Sequence, residues 1–277
     1  MANKRKETVS VHTQKSIADG IYDLWLDSTL AQDAKAGQFV SVYPNDGAML
    51  LPRPISICEA DKENGRLRLV YRVAGGGTGE FSHYTSGQSV SILGTLGNGF
   101  PIEKAKGKKV FLIGGGIGIP PMLQLAKELA AAEKTINTAA SAMAEKTEQT
   151  KLQIILGYRD SQLFLSEELK RYGEVYIATE DGSAGSRGNV MDAIRDNQLA
   201  ADIIYACGPM PMLRAVKAYA EQKQIDAYIS LEERMACGVG ACLGCVVKTS
   251  GIDSHSHVNN ARICTDGPVY LAQEVEI

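Results

Sequence analysis

Several features are missing from this chain, and each absence excludes a class of protein. No run of about 18 apolar residues occurs, so the sequence predicts no transmembrane helix. The start, MANKRKETVS, is basic but continues with polar residues instead of the apolar stretch of a secretory signal, and we expect a cytoplasmic protein. The formal net charge of -3 provides no positive field for nucleic acid or an anionic membrane. No internal repeat of about 20 to 50 residues is visible.

Cysteine is scarce until the C-terminal part of the chain, where four of the six cysteines lie: Cys237, Cys242, Cys245 and Cys264. Their spacing, C-x4-C-x2-C-x18-C, is typical of the ligands of a plant-type [2Fe–2S] cluster. The glycines in CGVGACLGC let the backbone wrap a small inorganic core and turn its N–H groups toward sulfur. A zinc site and a disulfide framework are the alternatives. Zinc sites favour two C-x2-C pairs and disulfide-rich chains are small and secreted, so the spacing favours the cluster.

The hydrophobic pattern changes twice along the 277 residues. Residues 7–100 contain short β-rich runs such as QFVSVYP and RLRLVYRVA, which predict an antiparallel barrel. The strings KKVFLIGG, LQIILGYR, EVYIATE and DIIYACG then read as apolar strands followed by helices, which predicts an α/β parallel sheet. We therefore expect three domains: a β-barrel at 1–102, an α/β nucleotide domain at 103–225 and a small cluster module at 226–277.

Two strings of the predicted barrel suit a diphosphate. In LPRPISI, the guanidinium of Arg53 and the hydroxyl of Ser56 can donate hydrogen bonds to phosphate oxygens. In VYRVAGGGTGEFS, the glycines let the backbone approach a ligand, and Thr78 adds a donor before a helix. A surface arginine and a glycine-rich hairpin are the structural alternatives.

Two strings of the predicted parallel sheet suit a dinucleotide. GGGIGIPPML follows a strand and opens a helix, so its N–H groups can bind a pyrophosphate, although Pro121 stands where the Rossmann pattern has its third glycine. This loop contributes Gly116 and Gly118, and YACGPMPML contributes Cys207 and Gly208 at the end of another strand. Carboxyl ends of parallel strands are where open α/β sheets bind ligands.

The string ATEDGSAGSRG bears on the choice between NAD and NADP. Glu180 and Asp181 follow a predicted strand, and carboxylates there suit a ribose diol and repel a 2′-phosphate. Arg187 is a counter-argument, because it could reach a phosphate. We expect NAD as the nucleotide.

These motifs carry a resemblance to a known family. R-P-x-S followed by G-T, in a barrel that precedes a parallel sheet, resembles the flavin domain of ferredoxin–NADP reductase-type proteins, and G-x-G-x-x-P and C-G-P resemble their nicotinamide domain. With ERMACGVGACLGC at the end, the chain resembles, over almost its whole length, the electron-transfer subunits of class B dihydroorotate dehydrogenases. Residues 131–150 look like an insertion into the nicotinamide domain; they could extend a helix or be mobile, and we assign them no function.

The resemblance implies three cofactors: FAD, a [2Fe–2S] cluster and NAD. It implies that the four C-terminal cysteines hold the cluster. It also implies FAD contacts at Arg53, Pro54, Ile55, Ser56, Val70, Tyr71, Arg72, Gly77 and Thr78.

The resemblance further implies a partner, the FMN-containing catalytic subunit, in a complex of two copies of each chain that serves pyrimidine (UMP) biosynthesis. Electrons would pass from FMN through the cluster and FAD to NAD. We name no catalytic side chain, since hydride exchange between flavin and nicotinamide needs orientation and no obligatory acid or base. The four histidines show no pattern of partners.

Two other functions use the same sequence features. One is a flavin and iron–sulfur reductase subunit of another complex, of the bifurcating transhydrogenase or sulfhydrogenase type. We expect a bifurcating subunit to replace one cysteine by another ligand, and all four are cysteine here. The second is a non-enzymatic, zinc-stabilised binding module.

Overall fold

The computed structural model describes residues 4–143, 151–252 and 257–277. They form two compact units. Unit 1 comprises Met1–Gly99, Ser230–Tyr270 and Glu274–Glu276, and unit 2 comprises Phe100–Ile229, Leu271–Gln273 and Ile277. The cysteine-rich segment thus belongs to the same unit as the N-terminal strands. The predicted division into three domains stays a prediction.

A closed, six-stranded antiparallel barrel forms the larger part of unit 1. Its strands are β1 (Arg5–Ala18), β2 (Ile21–Asp27), β3 (Phe39–Tyr43), β4 (Arg53–Asp61), β5 (Arg66–Arg72) and β6 (Ser89–Leu96). Their order around the barrel is β1-β2-β5-β4-β3-β6. A short helix, α1 (Gly76–Phe81), connects β5 to β6. The predicted all-β half is confirmed.

Alternation of side chains sorts each barrel strand into an inner and an outer face. On β3, Val40 and Val42 belong to the hydrophobic core of the barrel. Phe39, Ser41 and Tyr43 therefore lie on the outer face. This assignment matters because the outer face of β3 and β4 carries the candidate site.

Unit 2 is built on a mainly parallel sheet with helical crossovers. Its strands are β7 (Lys109–Gly115), β8 (Lys151–Tyr158), β9 (Glu174–Thr179), β10 (Ser186–Arg187), β11 (Ile203–Cys207) and β12 (Asp226–Ser230). The helices are α2 (Pro120–Met143), α3 (Ser166–Leu169), α4 (Val190–Asp196) and α5 (Met210–Lys223). The sheet order is β10-β9-β8-β7-β11-β12-β15, where β15 is Val269–Leu271. The four apolar strings predicted as strands form β7, β8, β9 and β11.

Helix α2 extends into residues 131–150, to which we assign no function. Residues 131–143 continue this helix, which is one of the two predicted alternatives. Residues 144–150 lie outside the described residues. None of the helices in the described ranges is both long enough and apolar enough to span a membrane.

The cysteine-rich segment has little regular structure. β13 (Val246–Lys248) pairs with β14 (Asn260–Arg262) in an antiparallel ladder, and Thr249 bridges to Val275. The ladder begins one residue after Cys245 and ends two residues before Cys264.

Candidate functional site

The two predicted diphosphate motifs meet in unit 1. Arg53 begins β4, and its guanidinium lies against the backbone of Gly77, where a Cβ atom would be 2.6 Å from Arg53 Nε. The guanidinium also donates to the carbonyl of Leu51. Only glycine at 77 leaves the room that this arginine occupies. The planar guanidinium is thus placed beside the glycine-rich loop, an arrangement that suits a diphosphate.

Thr78 has a different role from the one its hydroxyl suggests in the sequence. The hydroxyl accepts hydrogen bonds from the N–H groups of Ala74 (2.9 Å) and Gly75 (3.3 Å) and donates to the Gly75 carbonyl (3.2 Å). The side chain therefore closes the glycine-rich loop at the start of α1. A ligand at this loop would meet backbone N–H groups of the first helical turn, which have no partner within a helix.

The other residues of the R-P-I-S string divide between the two faces of β4. Register pairs Ser41 with Pro54 and Phe39 with Ser56, so Pro54 and Ser56 share the outer face of the barrel. Ile55 pairs with Val40 and packs against the core. Pro54 and Ser56 can thus contact a ring system lying on the outer face, while Ile55 supports the strand.

Tyr71 is fixed inside the barrel. Its hydroxyl donates to Gln14 Oε1 at 2.9 Å, and its ring stacks on Tyr22 and meets Phe81 edge-on. Burial, with the neighbouring Tyr22 and Tyr84, raises the pKa of Tyr71, so its hydroxyl stays protonated. The neighbours of Tyr71 differ in exposure: Val70 is buried and Arg72 is exposed. A flavin contact at Tyr71 would come from its backbone, whereas Arg72 presents its side chain.

The two predicted nucleotide motifs also meet, within unit 2. Strands β7 and β11 are parallel neighbours, with Cys207 opposite Gly114. A Cβ atom at Gly118 would collide with the Cys207 carbonyl and lie 2.5 Å from the N of Gly208. Gly116 has a φ of 53°, a conformation that favours glycine. The loop and the C-G-P turn therefore form one glycine-lined edge at the carboxyl ends of two strands.

The acidic pair follows β9, as predicted. Asp181 is exposed and accepts from the N–H of Ser183 at 2.9 Å, and hydrogen bonds from Ser183 lower the pKa of its carboxyl. Arg187 lies on neighbouring β10, opposite Thr179, with its side chain against Gly182. The loop after β9 thus brings together carboxylates, which favour NAD, and an arginine, which could favour NADP.

The four C-terminal cysteines come together as two pairs in unit 1. The side chains of Cys237 and Cys242 interact, as do those of Cys245 and Cys264, and Cys237 also interacts electrostatically with Cys264. Cys245 and Cys264 are buried, and Cys242 is exposed. In the described part of the chain, no group of three or more His, Cys, Asp or Glu side chains is arranged to hold one metal ion. A two-iron cluster divides its four cysteine ligands between two irons, and two neighbouring pairs of cysteines fit that division.

Backbone donors point at these sulfurs. The N–H of Val239 lies 3.4 Å from Cys237 Sγ. Burial raises the pKa of Cys237, but hydrogen bonds from the backbone of Val239, Cys242 and Ala241 lower it to about 6. Burial and the neighbouring Cys245 raise the pKa of Cys264 to about 11. The donor set and the N–H groups aimed at sulfur fit a [2Fe–2S] cluster.

An ion pair that the sequence reasoning missed holds the last cysteine in place. Asp266 accepts from Arg262 Nε at 3.0 Å and from the Arg262 N–H at 2.8 Å. Arg262 also reaches the Gly240 carbonyl, at 3.4 Å, and so ties the strand before Cys264 to the loop of the first three cysteines. The only sequence feature that could have predicted this ion pair is the spacing of an arginine and an aspartate on either side of Cys264.

Comparisons with known proteins agree with this geometry. Residues 232–276 match the iron–sulfur cluster binding domain of dihydroorotate dehydrogenase B, and residues 112–218 match the oxidoreductase NAD-binding domain. The electron transfer subunit of dihydroorotate dehydrogenase B (NAD(+)) from Bacillus caldolyticus is 40% identical over 274 residues, 98% of both chains. The corresponding subunit from Listeria innocua is 42% identical over 271 residues, 97% of this chain and 98% of that one.

Solved structures share the fold. The structure of an NADH-dependent reduced ferredoxin–NADP oxidoreductase, determined to study flavin-based electron bifurcation, has a TM-score of 0.81 and 26% identity, covering 98% of this chain and 90% of that one. A ferredoxin–NADP reductase from Neisseria gonorrhoeae has a TM-score of 0.61 and 14% identity, covering 84% and 95%. The fold and the two sites of unit 1 define an oxidoreductase of the ferredoxin–NADP reductase type with an added iron–sulfur module. This chain belongs to the family of the electron transfer subunits of dihydroorotate dehydrogenase B (NAD(+)).

Proposed function

We propose that this chain transfers electrons from the FMN of a dihydroorotate dehydrogenase catalytic subunit to NAD+, by way of a [2Fe–2S] cluster and FAD that it holds itself. The reaction belongs to pyrimidine biosynthesis. The observation that carries the proposal is the pairing of Cys237 with Cys242 and of Cys245 with Cys264, in the same compact unit as the Arg53–Gly77 contact. One compact unit would thus hold both redox groups.

Each cofactor has its own set of residues in the proposal. FAD is held by the R-P-I-S string, by Val70 to Arg72 and by Gly77 and Thr78, with Arg53 neutralising the diphosphate. The nicotinamide nucleotide is held by Gly116, Gly118, Cys207 and Gly208. When bound, the cluster supplies one-electron transfer and the flavin links it to two-electron hydride exchange. The protein contributes orientation, and hydrogen bonds to the cysteine sulfurs.

An assay of dihydroorotate-dependent NAD+ reduction tests the proposal. A purified FMN-containing catalytic subunit is measured with and without this chain after anaerobic preparation, and the iron and acid-labile sulfide of the chain are determined beside it. We expect NAD+ reduction only with the chain present, and two irons and two sulfides per chain. A colourless chain that contains zinc would refute the proposal.

The partner is proposed to bind at an apolar surface of the cysteine-rich segment. Val239 and Leu243, between the cluster ligands, have relative exposures of 40% and 61%. Val246, Ile252 and Val258 on the same segment are also exposed. Exposed apolar side chains at the cluster suit a protein that must bring its own redox group close. A complex of two copies of each chain is part of this proposal.

Charge placed on this surface should prevent assembly. Leu243→Glu is expected to abolish co-elution with the catalytic subunit in size-exclusion chromatography, while the iron content of the chain stays at the parent level. The control is Leu50→Glu, a more exposed leucine (84%) in the loop between β3 and β4. Co-elution of the Leu243 variant would exclude this surface.

A second candidate function follows from the likeness to the NADH-dependent reduced ferredoxin–NADP oxidoreductase. A subunit of such a complex would use the same cofactor sites but would not respond to dihydroorotate. The assay above therefore separates the two functions. We place the protein in the cytoplasm, in accord with its free cysteines.

A further inference from the structure

Ser41 lies between the strand of the flavin motif and the loop of the cluster ligands. On one side it pairs with Pro54 of the R-P-I-S string, and both residues are on the outer face of the barrel. On the other side it meets Gly238, the residue after Cys237, where a Cβ atom would lie 3.0 Å from Ser41 Oγ. Ser41 thus places a polar side chain between the flavin motif and the cysteine loop.

The hydroxyl of Ser41 is buried and has no hydrogen-bond partner among the described residues. Its relative exposure is 0%. Its Oγ atom has neither a protein donor nor a protein acceptor in reach. Leu96 lies 3.3 Å from the same Cβ position of Gly238, so part of the surroundings is apolar. A buried hydroxyl in such surroundings is unfavourable unless a further group accepts a hydrogen bond from it.

Because Ser41 lies next to the cysteine loop, a sulfur of the bound cluster is the group best placed to accept this hydrogen bond. The N–H of Val239 lies 3.4 Å from Cys237 Sγ, and it belongs to the cysteine loop itself, as do the backbones of Ala241 and Cys242 that interact with the same sulfur. Ser41 approaches the same loop from the barrel, at the residue next to Cys237, and so adds a donor on the side that the loop does not supply. Donors to cluster sulfurs stabilise the reduced, more negative form and raise the reduction potential.

We propose that the Ser41 hydroxyl donates a hydrogen bond to a sulfur of the bound [2Fe–2S] cluster and thereby raises the reduction potential of the cluster. The inference rests on the cluster and not on the identity of the partner subunit. A failure of the dihydroorotate-dependent activity would therefore not refute it.

The test is a redox titration of the full chain carrying FAD and the cluster, followed by electron paramagnetic resonance. For Ser41→Ala we expect the reduced-to-oxidised ratio of the cluster at a fixed potential to fall at least about threefold, which is about 28 mV at 59 mV per tenfold change. The hyperfine coupling of one exchangeable proton to the reduced cluster should disappear. Ser10→Ala is the control, because the Ser10 hydroxyl already donates to Asp27 at 3.2 Å.

A second pair of variants separates the hydroxyl from side-chain shape. Ser41→Thr and Ser41→Val have nearly the same volume and differ in the hydroxyl, so the threonine variant should have the higher cluster potential even if the alanine variant loses iron. Equal potentials in the two variants would overturn the proposal. So would a shift confined to the flavin potential, which would assign the hydroxyl to FAD.

Discussion

At the scale of single residues, close approach of backbone and side chain decides what a glycine does. Gly77 and Gly79 both lie in helix α1. A Cβ atom at Gly77 would lie 2.6 Å from Arg53 Nε, whereas nothing lies within 4 Å of one at Gly79. Two neighbouring glycines of one motif thus have different roles, one in making room for an arginine and one without such a contact.

Gly77→Ala should weaken FAD binding. The arginine side chain can move away from the new methyl group, so the fold should persist, but the guanidinium leaves the diphosphate position. We expect the dissociation constant for FAD to rise roughly tenfold, which corresponds to the loss of one charge-assisted hydrogen bond. Flavin fluorescence during titration of the apoprotein measures it. Gly79→Ala is the matched control and should bind FAD as the parent does.

Glu180 and Asp181 should govern the choice of nucleotide. Replacing both with their amides, Glu180→Gln and Asp181→Asn, removes two negative charges from the loop after β9. We expect the ratio of kcat/KM for NADPH over NADH to rise at least roughly fivefold, because repulsion of the 2′-phosphate is lost. Steady-state kinetics with ferricyanide as electron acceptor measure this ratio. An unchanged ratio, compared with Asp196→Asn on helix α4, would show that Arg187 or another group sets the preference.

At the scale of elements, helix α4 shows how local side chains fix a helix that follows the nucleotide loop. Asn189 caps the helix by accepting from the N–H of Met191 at 2.9 Å. Asp192 returns a hydrogen bond by accepting from the Asn189 N–H at 2.8 Å. That hydrogen bond and the Arg195 side chain lower the pKa of Asp192. The reciprocal bonds satisfy N–H groups that the helix itself leaves free.

Asp192→Ala should destabilise unit 2 in a pH-dependent way. At pH 7 we expect a loss of about 1 kcal/mol in the free energy of unfolding. Because the pKa of Asp192 is lower in the folded state, its contribution is present above the unfolded pKa of about 3.9 and is lost as the pH falls through the folded value. The difference in thermal unfolding between parent and variant should therefore stay constant from pH 7 to about pH 5 and shrink as the pH is lowered below about 4. A difference that did not depend on pH would argue against the carboxylate.

At the scale of the whole molecule, the cysteine-rich segment and the barrel form one compact unit although unit 2 separates them in the sequence. Asn98 at the end of the barrel takes part in this arrangement, since its amide donates to the carbonyls of Asp266 and Val269 and accepts from the N–H of Val269. This grouping is what electron transfer between a cluster and a flavin requires of one chain.

Cys242→Ala should separate two activities of the molecule. Reduction of ferricyanide by NADH needs the flavin and nicotinamide sites and should continue. Dihydroorotate-dependent NAD+ reduction with the catalytic subunit needs the cluster as well and should fall to background. Stopped assays of both reactions make the comparison, with Cys58→Ala, a buried cysteine on β4, as the control. Parallel loss of both activities would indicate that the cluster loop is needed for flavin binding instead.

The local pattern of the chain was sufficient to predict the barrel, the parallel sheet and the cluster. Period-two runs predicted the barrel, apolar runs followed by helices predicted the parallel sheet, and the spacing of Cys237 to Cys264 predicted a cluster. These features depend on neighbouring residues or on ligand spacing, so they can be seen in one dimension.

Only the tertiary structure decided which groups face each other. It turned the Thr78 hydroxyl back into its own loop, placed the Tyr71 ring in the barrel core and brought Ser41 against Gly238. It also placed the cysteine-rich segment in the unit of the barrel. Strand register and long-range packing set these contacts, because a shift of one residue moves every side chain of a strand to the other face, and no local pattern encodes which distant loop covers that face.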